Sequence, residues 1–318
     1  MKLFHRINSL VLVIILFAVA GCTSQKPTAS QSFKVGTWKT AQTIQPFYYS
    51  EYLPEGDTIE VLPFTNPGDQ KTALLAGNLN MCGTTWVTAI TAASNDEPVK
   101  VVASMTEKCS ALVVASDSGI DSTADLKGKR IAYVPGTMHH ILLLEALQKA
   151  GLDSSNDVTL IQIDFFDMGQ ALANKQIDAF CSGEPYPSIA VKEGYGKILE
   201  YPYYDDSIGF INAGMLVTEK EIKENPEGVQ ALVNAHIKAT TFLQENKDAW
   251  LKKSAEFGTD LAVLEQGVDN MVVAWDLTPE TIQQVKNLAN RMFELGIIRK
   301  IPDIDAMIDL QFLKYAPK

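Results

Sequence analysis

The chain has few residues that bind zinc, and their spacing excludes the common structural zinc sites. Four cysteines and four histidines occur among 318 residues, and no CxxC pair or Cys/His cluster supplies a tetrahedral set of ligands. His139 and His140 are adjacent, so on a helix they point about 100° apart and cannot chelate one ion as an i, i+4 pair can. We therefore expect no metal site, and no sequence feature calls for a cofactor.

Basic residues are also in deficit, which argues against a nucleic-acid partner. Lys and Arg number 27 against 38 Asp and Glu, for a net charge of -11, whereas phosphate binding needs a basic face. The sequence has no GxSxG elbow, HExxH helix or P-loop, so it offers none of these catalytic motifs. It also has no repeat of fixed period, which argues against a solenoid.

Long apolar runs are missing except near the N-terminus, where residues 1–21 have the pattern of a secretion signal. A basic start precedes an apolar run from Leu10 to Val19, which is shorter than the about 20 residues of a spanning helix. Residues 19–22 (VAGC) resemble the bacterial lipobox, in which the cysteine is lipidated and becomes the new N-terminus. We expect a lipid anchor on Cys22 and a flexible tether over residues 22–32. The alternative is an ordinary signal peptide that a cysteine happens to follow.

The three other cysteines are Cys82, Cys109 and Cys181, of which at most one pair can form a disulfide. Each lies in or beside an apolar run, so the sequence favours small buried thiols.

From Phe33 onward, short β-branched runs alternate with helical patterns, which is typical of an α/β fold with parallel strands. Two lobes are expected, with residues 33–114 and 210–318 in lobe 1 and residues 115–209 in lobe 2. We expect polar turns at 117–129 to carry the chain into lobe 2 and residues 210–217 to carry it back. The expected strands are 33–36, 58–62, 79–82, 99–103, 111–115, 130–134, 160–163 and 177–181, and the expected helices are 69–76, 138–150, 171–175, 226–246, 248–257, 260–268 and 279–295.

Several segments together resemble one family of solute-binding proteins of ABC importers. The family comprises the nitrate, sulfonate and taurine receptors and the thiamine-precursor binders. The matching segments are residues 125–133 (DLKGKRIAY), 136–140 (GTMHH), 142–152 (LLLEALQKAGL), 73–81 (ALLAGNLNM), 177–180 (IDAF) and 183–186 (GEPY).

This resemblance implies a type II periplasmic-binding-protein fold, with two α/β lobes, two hinge crossings and a ligand in the cleft between the lobes. It implies a receptor that catalyses nothing and delivers a small molecule to ABC permease and ATPase subunits. The expected location is the cell envelope, where lipid on Cys22 holds a monomer on the extracytoplasmic face of the membrane.

Candidate ligand contacts follow from the rule that ligands collect beyond the carboxyl ends of parallel strands, where loops and helix N-termini offer free N–H groups. Four strand-end segments meet this rule, and the family places binding loops at the same points. The candidates are Trp38, Lys39, Thr84, Thr85, Trp86, Thr137, Met138, His139, Glu184 and Tyr186.

Each main candidate also has a structural interpretation. Thr137 is either a ligand contact or a plain N-cap, and it can be both. Trp38, Trp86 and Tyr186 either sandwich a planar ring or pack in the core. Glu184 would repel an anion unless a cation such as Lys39 offsets it, so the sequence favours an amine- or amide-bearing solute. A planar nitrogen heterocycle such as a pyrimidine is expected over a sulfonate or nitrate, unless Glu184 only caps a turn.

Two other functional classes remain as alternatives. Some relatives of the thiamine-precursor binders are pyrimidine synthases that consume one of their own histidines and carry a cysteine-rich motif. The matching segment here, residues 180–184 (FCSGE), has one cysteine, and the export signal disagrees with an intracellular enzyme. A structural or adhesive surface lipoprotein would need no deep cleft.

Overall fold

In a computed structural model, which describes residues 30–314, strands and helices alternate over the first two thirds of the chain and helices dominate the rest. The strands are β1 (Ser32–Thr37), β2 (Thr58–Pro63), β3 (Met81–Thr85), β4 (Val99–Lys108), β5 (Ser110–Ala115), β6 (Arg130–Tyr133), β7 (Thr159–Gln162), β8 (Ala179–Gly183), β9 (Gly196–Glu200), β10 (Ala213–Thr218) and β11 (Val272–Val273). The helices are α1 (Pro67–Leu75), α2 (Trp86–Ser94), α3 (Met138–Lys149), α4 (Phe165–Ala173), α5 (Tyr186–Lys192), α6 (Glu219–Glu224), α7 (Pro226–Glu245), α8 (Lys247–Ala255), α9 (Leu261–Gly267), α10 (Pro279–Glu294) and α11 (Ile304–Met307).

The strands form two separate mixed sheets. The first sheet has the order β11-β4-β10-β3-β1-β2 and the second has the order β7-β6-β8-β5-β9. Within them β1 lies parallel to β2 and β3, and β6 lies parallel to β7 and β8. However, β10 is antiparallel to both of its neighbours, and so is β5. The expectation of parallel strands was therefore only partly correct, because alternation along the chain does not encode strand direction.

Apolar clusters cover both faces of each sheet, and the inner strands β5 and β10 are accordingly almost continuous apolar runs. One face of the first sheet packs on α7 and α8, and the other packs on α2 and α10. The second cluster of the first sheet also takes in Met138, Ile141 and Leu142 from the start of α3. Helix α3 therefore connects the cores of the two sheets.

The chain passes from the first sheet to the second in a single residue. Strand β4 ends at Lys108, β5 begins at Ser110, and only Cys109 lies between them. The expected crossing at residues 117–129 was wrong, since those turns lie between β5 and β6 of the second sheet. An extended chain needs no turn residues to pass between sheets, so turn chemistry did not mark the place. The boundary after residue 114 accordingly left most of β5 in lobe 1, and the two-lobe division itself stays a prediction.

The remaining expectations concern the N-terminal signal segment, membrane-spanning helices and the cysteines. The signal segment and the lipidation site at Cys22 lie outside the described residues. Between residues 30 and 314, none of the helices combines the length and apolarity needed to cross a bilayer. Cys82, Cys109 and Cys181 are buried and free, as the sequence favoured.

Candidate functional site

The carboxyl ends of β6, β7 and β8 lie at one edge of the second sheet because these strands are parallel neighbours. Residues 137–139 follow β6, residues 165–166 follow β7 and residues 184–186 follow β8. The structure thus brings the five candidates of this sheet, Thr137, Met138, His139, Glu184 and Tyr186, to the same edge.

Thr137 is the N-cap of α3. Its hydroxyl donates to the carbonyl of Val134 at 2.8 Å and accepts from the N–H of His140 at 3.3 Å. The side chain is only 4% exposed. Its single hydrogen is already used, so any acceptor at this helix start would bind to the first-turn N–H groups of Met138 and His139, which have no partner within the helix.

The second helix start is at the end of β3, where Thr85 caps α2 by accepting from the N–H of Thr88 at 3.2 Å. Thr84 and Trp86 on either side are completely buried. Within the described residues, the Thr84 hydroxyl and the Trp86 indole N–H have no hydrogen-bond partner. Trp86 and Met138 belong to the same apolar cluster, so the first residues of α2 and α3 share one core.

The three aromatic candidates do not form a sandwich. The ring of Trp38 lies 3.1 Å from where a Cβ on Gly83 would be, and the ring of Trp86 lies 3.4 Å from where one on Gly214 would be. Gly214 pairs with Thr84, and adjacent strand residues face opposite sides, so Trp38 and Trp86 lie on opposite faces of the first sheet. Tyr186 instead stacks on Phe165 in the second sheet, with 6.5 Å between ring centroids.

Glu184 is buried where the two sheets meet, and only 2% of it is exposed. Its carboxylate accepts from the N–H of Ser188 at 3.2 Å and from the amide of Asn270 at 3.4 Å. Burial raises the pKa of Glu184 to about 7. Lys39 is exposed, and no ion pair joins it to Glu184 in the described part of the chain, so the offsetting cation that the sequence suggested is not at hand.

Three residues around Glu184 were missed by sequence reasoning, namely Gln42, Ser188 and Asn270. The Gln42 amide donates to the carbonyl of Glu184 at 2.9 Å, and the Asn270 amide donates to the carbonyl of Ser110 at 3.2 Å. Among residues 30–314, neither Gln42 Oε1 nor the Ser188 hydroxyl has a partner. Ser188 could have been found because it lies one helical turn after Glu184, whereas Gln42 and Asn270 are distant in sequence and carried no signal.

An aromatic group beside His139 was also missed. The ring of Phe165 lies edge-on to His139 at 5.2 Å between centroids, and Phe166 lies edge-on to Tyr186 at 5.8 Å. Phe166 is 66% exposed. Residues 165–166 follow β7, so the strand-end rule that selected the other candidates would have found them.

The arrangement offers hydrogen-bonding groups to a bound molecule and no cluster of metal ligands within residues 30–314. Among the described residues, no three His, Cys, Asp or Glu side chains lie close enough to hold a metal ion. Buried acceptors lie between the two sheets and helix N-termini lie nearby, which suits the capture of a small polar molecule that carries both hydrogen-bond donors and acceptors.

The fold is that of type II periplasmic solute-binding proteins. The alkanesulfonate-binding protein SsuA from Xanthomonas axonopodis pv. citri, solved with bound MOPS, superposes with a TM-score of 0.76 at 21% identity, over 88% of this chain and 98% of that one. A family model described as NMT1/THI5 like matches residues 48–249. The chain belongs to the NMT1/THI5-like family.

Two relatives extend this result. A putative binding protein of Brucella abortus is 33% identical over 215 residues, and the match covers 65% of this chain and 64% of that protein's length. A putative aliphatic sulfonates-binding protein of Bacillus subtilis is 26% identical over 326 residues and 96% of each chain. Both are binding proteins by name.

Proposed function

We propose that this protein is the substrate-binding component of an ABC importer, anchored by lipid on Cys22 outside the membrane, where it captures a small polar solute for the permease. Family membership, the fold and the names of the relatives support this proposal. The meeting of strand-end segments from two sheets supports it physically, since two bodies that close on a solute gain contacts only in the closed state.

The observation that carries the solute class is the buried cluster around Glu184. Gln42 Oε1 can only accept, the Ser188 hydroxyl can accept or donate, and the Glu184 carboxyl accepts with both oxygens once ionised. The first two have no partner among residues 30–314. A buried polar atom without a partner costs about 1–3 kcal/mol. An N–H donor of the solute would satisfy these atoms, so the proposed solute carries an amine or amide.

The other end of the proposed solute is an oxygen-rich acceptor group at the N-termini of α2 and α3. Helix starts bind such groups through free N–H donors and the positive end of the helix dipole. The name of the Bacillus subtilis relative makes a sulfonate the first choice. Trp38 and Trp86 lie on opposite faces of one sheet, so these two side chains do not sandwich a planar ring. An aminoalkyl sulfonate therefore takes precedence over a pyrimidine.

A thermal-shift and calorimetry series tests the proposal on the mature chain. The solutes are 2-aminoethanesulfonate, ethanesulfonate, 4-aminopyrimidine and nitrate, and each binder raises the melting temperature with its concentration above Kd. We expect 2-aminoethanesulfonate to bind more tightly than ethanesulfonate, and Glu184→Gln to weaken that preference. Glu265→Gln is the matched control because Glu265 is exposed.

The outcomes separate the parts of this proposal. If none of these solutes binds, nor any other in a wider panel, the receptor function is wrong. If ethanesulfonate binds as tightly as 2-aminoethanesulfonate, the donor site at Glu184 is wrong although the receptor function stands. If 4-aminopyrimidine is preferred, the donor site stands and the sulfonate is wrong.

The catalytic alternative gains no support from the cysteines of the described chain. Burial raises the pKa of the Cys109 thiol to about 12 and raises the pKa of Cys82 and Cys181 further. Since the thiolate is the nucleophile and the metal ligand, these thiols are poorly suited to either role.

A further inference from the structure

A chain of hydrogen bonds links both passages between the sheets to His139. Tyr203 lies in the segment that returns from β9 to β10, and Ser110 is the first residue after the passage into the second sheet. The Tyr203 hydroxyl lies 2.9 Å from the N–H groups of Cys109 and Ser110 and 3.0 Å from the Ser110 hydroxyl. The Ser110 hydroxyl in turn lies 2.7 Å from His139 Nδ1.

Counting hydrogens fixes the direction of each bond in this chain. Two N–H groups donate to the Tyr203 oxygen, so both of its lone pairs are occupied and its own hydrogen goes to Ser110. The Ser110 oxygen accepts that hydrogen and also has the amide of Asn212 at 3.4 Å. With both lone pairs of Ser110 taken, its one hydrogen is left for His139 Nδ1, and this pattern favours an unprotonated Nδ1.

A ring with an unprotonated Nδ1 is neutral and carries its proton on Nε2. Burial lowers the pKa of His139 to about 4, which agrees with a neutral ring at pH 7. Among residues 30–314, the His139 ring has a hydrogen-bond partner at Nδ1 and none at Nε2. The Cε1–Nε2 edge passes over Gly183, where a Cβ would lie 2.8 Å from Cε1 and 3.1 Å from Nε2. A side chain at position 183 would displace this edge of the ring.

We propose that Tyr203 and Ser110 are positioning residues that hold His139 as the Nε2–H tautomer, and that this N–H donates to an acceptor oxygen of the solute. The solute contact rests on the proposed receptor function, whereas the tautomer does not. Ser110 and Tyr203 lie at the two passages between sheets, so the bonds that orient this donor form beside those passages.

The tautomer is tested in the protein without solute by long-range proton–nitrogen NMR on histidine-labelled mature chain. We expect His139 to show an unprotonated Nδ1 and a protonated Nε2 at pH 7, with its signals assigned by loss in His139→Gln. In Ser110→Ala the fixed tautomer should give way to a mixture. Ser116→Ala is the matched control, since the Ser116 hydroxyl bonds only to the carbonyl of Gly194. A protonated Nδ1 in the wild type, or an unchanged pattern in Ser110→Ala, overturns the proposal.

The solute contact is tested by calorimetry with 2-aminoethanesulfonate. Loss of one hydrogen bond lowers affinity by about fivefold, and we expect that loss in His139→Gln. Ser110→Ala should lose less, about twofold for an equal mixture of tautomers, because part of the population keeps Nε2 protonated, and Ser116→Ala should lose nothing. A Ser110→Ala variant with a mixed tautomer and unchanged affinity overturns the contact. If the wild type binds neither 2-aminoethanesulfonate nor any other solute of the wider panel, the contact falls together with the receptor function, and the NMR result then tells whether the positioning of His139 survives.

Discussion

Glu184 shows, at the scale of a single residue, how far its chemistry can be read before its surroundings are known. The loop after β8 and the carboxylate within it were visible in the sequence, and so was the idea that the carboxylate disfavours an anion. The burial of Glu184 at the meeting of two sheets was not visible, because Gln42 and Asn270 come from distant parts of the chain. The same applies to Trp86, whose type indicates a large apolar contact but not the sheet face on which it packs.

The raised pKa of Glu184 gives a prediction about stability and pH. Burial raises the pKa from 4.5 to about 7, so between these values the unfolded chain loses a proton that the folded protein keeps. The stability that the folded protein gains by keeping this proton is thus fully present below pH 4.5, and it is lost as the pH rises through 7. By 1.36 kcal/mol per pKa unit, at most about 3 kcal/mol of stability is lost over this window.

Urea unfolding of the wild type and Glu184→Gln at pH 4.5 and pH 8 measures this effect. We expect the free energy of unfolding of the wild type to fall relative to Glu184→Gln as the pH rises, because glutamine cannot ionise. Glu265→Gln should follow the wild type. A constant difference between wild type and Glu184→Gln across the pH range would contradict the prediction.

At the scale of elements, the ends of helices were predicted best where proline marked the first turn or glycine followed the last. Pro226 and Pro279 marked the first turns of α7 and α10, and Gly77 and Gly151, which both have positive φ, follow the ends of α1 and α3. Helix α4 was misplaced, since it begins at Phe165 and not at Ala171. The Asp167–Gln170 spacing resembles a capping box, but both residues lie inside the helix. Aromatic residues in the first turn are poor helix signals, and they hid its start.

The cap of α3 yields a prediction for this element. Thr137→Ala removes an N-cap hydrogen bond and should lower the free energy of unfolding by about 1 kcal/mol, whereas Thr137→Ser should retain most of it. Thr278→Ala is the matched control, since Thr278 caps α10 by accepting from Thr281 at 3.1 Å. Both alanine variants should have a lower free energy of unfolding in urea. Only Thr137→Ala should also bind 2-aminoethanesulfonate more weakly. If Thr137→Ala and Thr278→Ala bind the solute with equal affinity, Thr137 serves only as the N-cap of α3 and not in solute binding.

For the whole molecule, sequence alternation predicted an α/β protein, and the family resemblance predicted its architecture. The resemblance supplied what periodicity could not, since neither strand direction nor sheet membership is encoded locally. The segment from Val99 to Ala115 illustrates this. It reads as two strands with a short polar interruption, yet those strands belong to different sheets. Contacts between the sheets, such as Gln42 with Glu184, depend on tertiary packing and lie beyond pattern analysis.

A solute held between the sheets should protect backbone from both of them at once. Residues 41–45 and 267–270 pack with the first sheet, residues 184–188 follow β8 of the second, and Gln42 and Asn270 already bond across to Glu184 and Ser110. Closure on a solute stabilises these contacts together, because opening one side must expose the other.

Hydrogen–deuterium exchange with and without saturating 2-aminoethanesulfonate measures this protection. We expect slower exchange in all three segments, and no change in α6. That helix begins at the carboxyl end of β10, which is antiparallel to β3, so it lies at the opposite end of the first sheet from the start of α2. In Glu184→Gln the protection should shrink in all three segments by the same factor as the affinity. Protection confined to residues 184–188 would mean that the solute binds to the second sheet alone. That result would contradict the prediction that both sheets close on the solute.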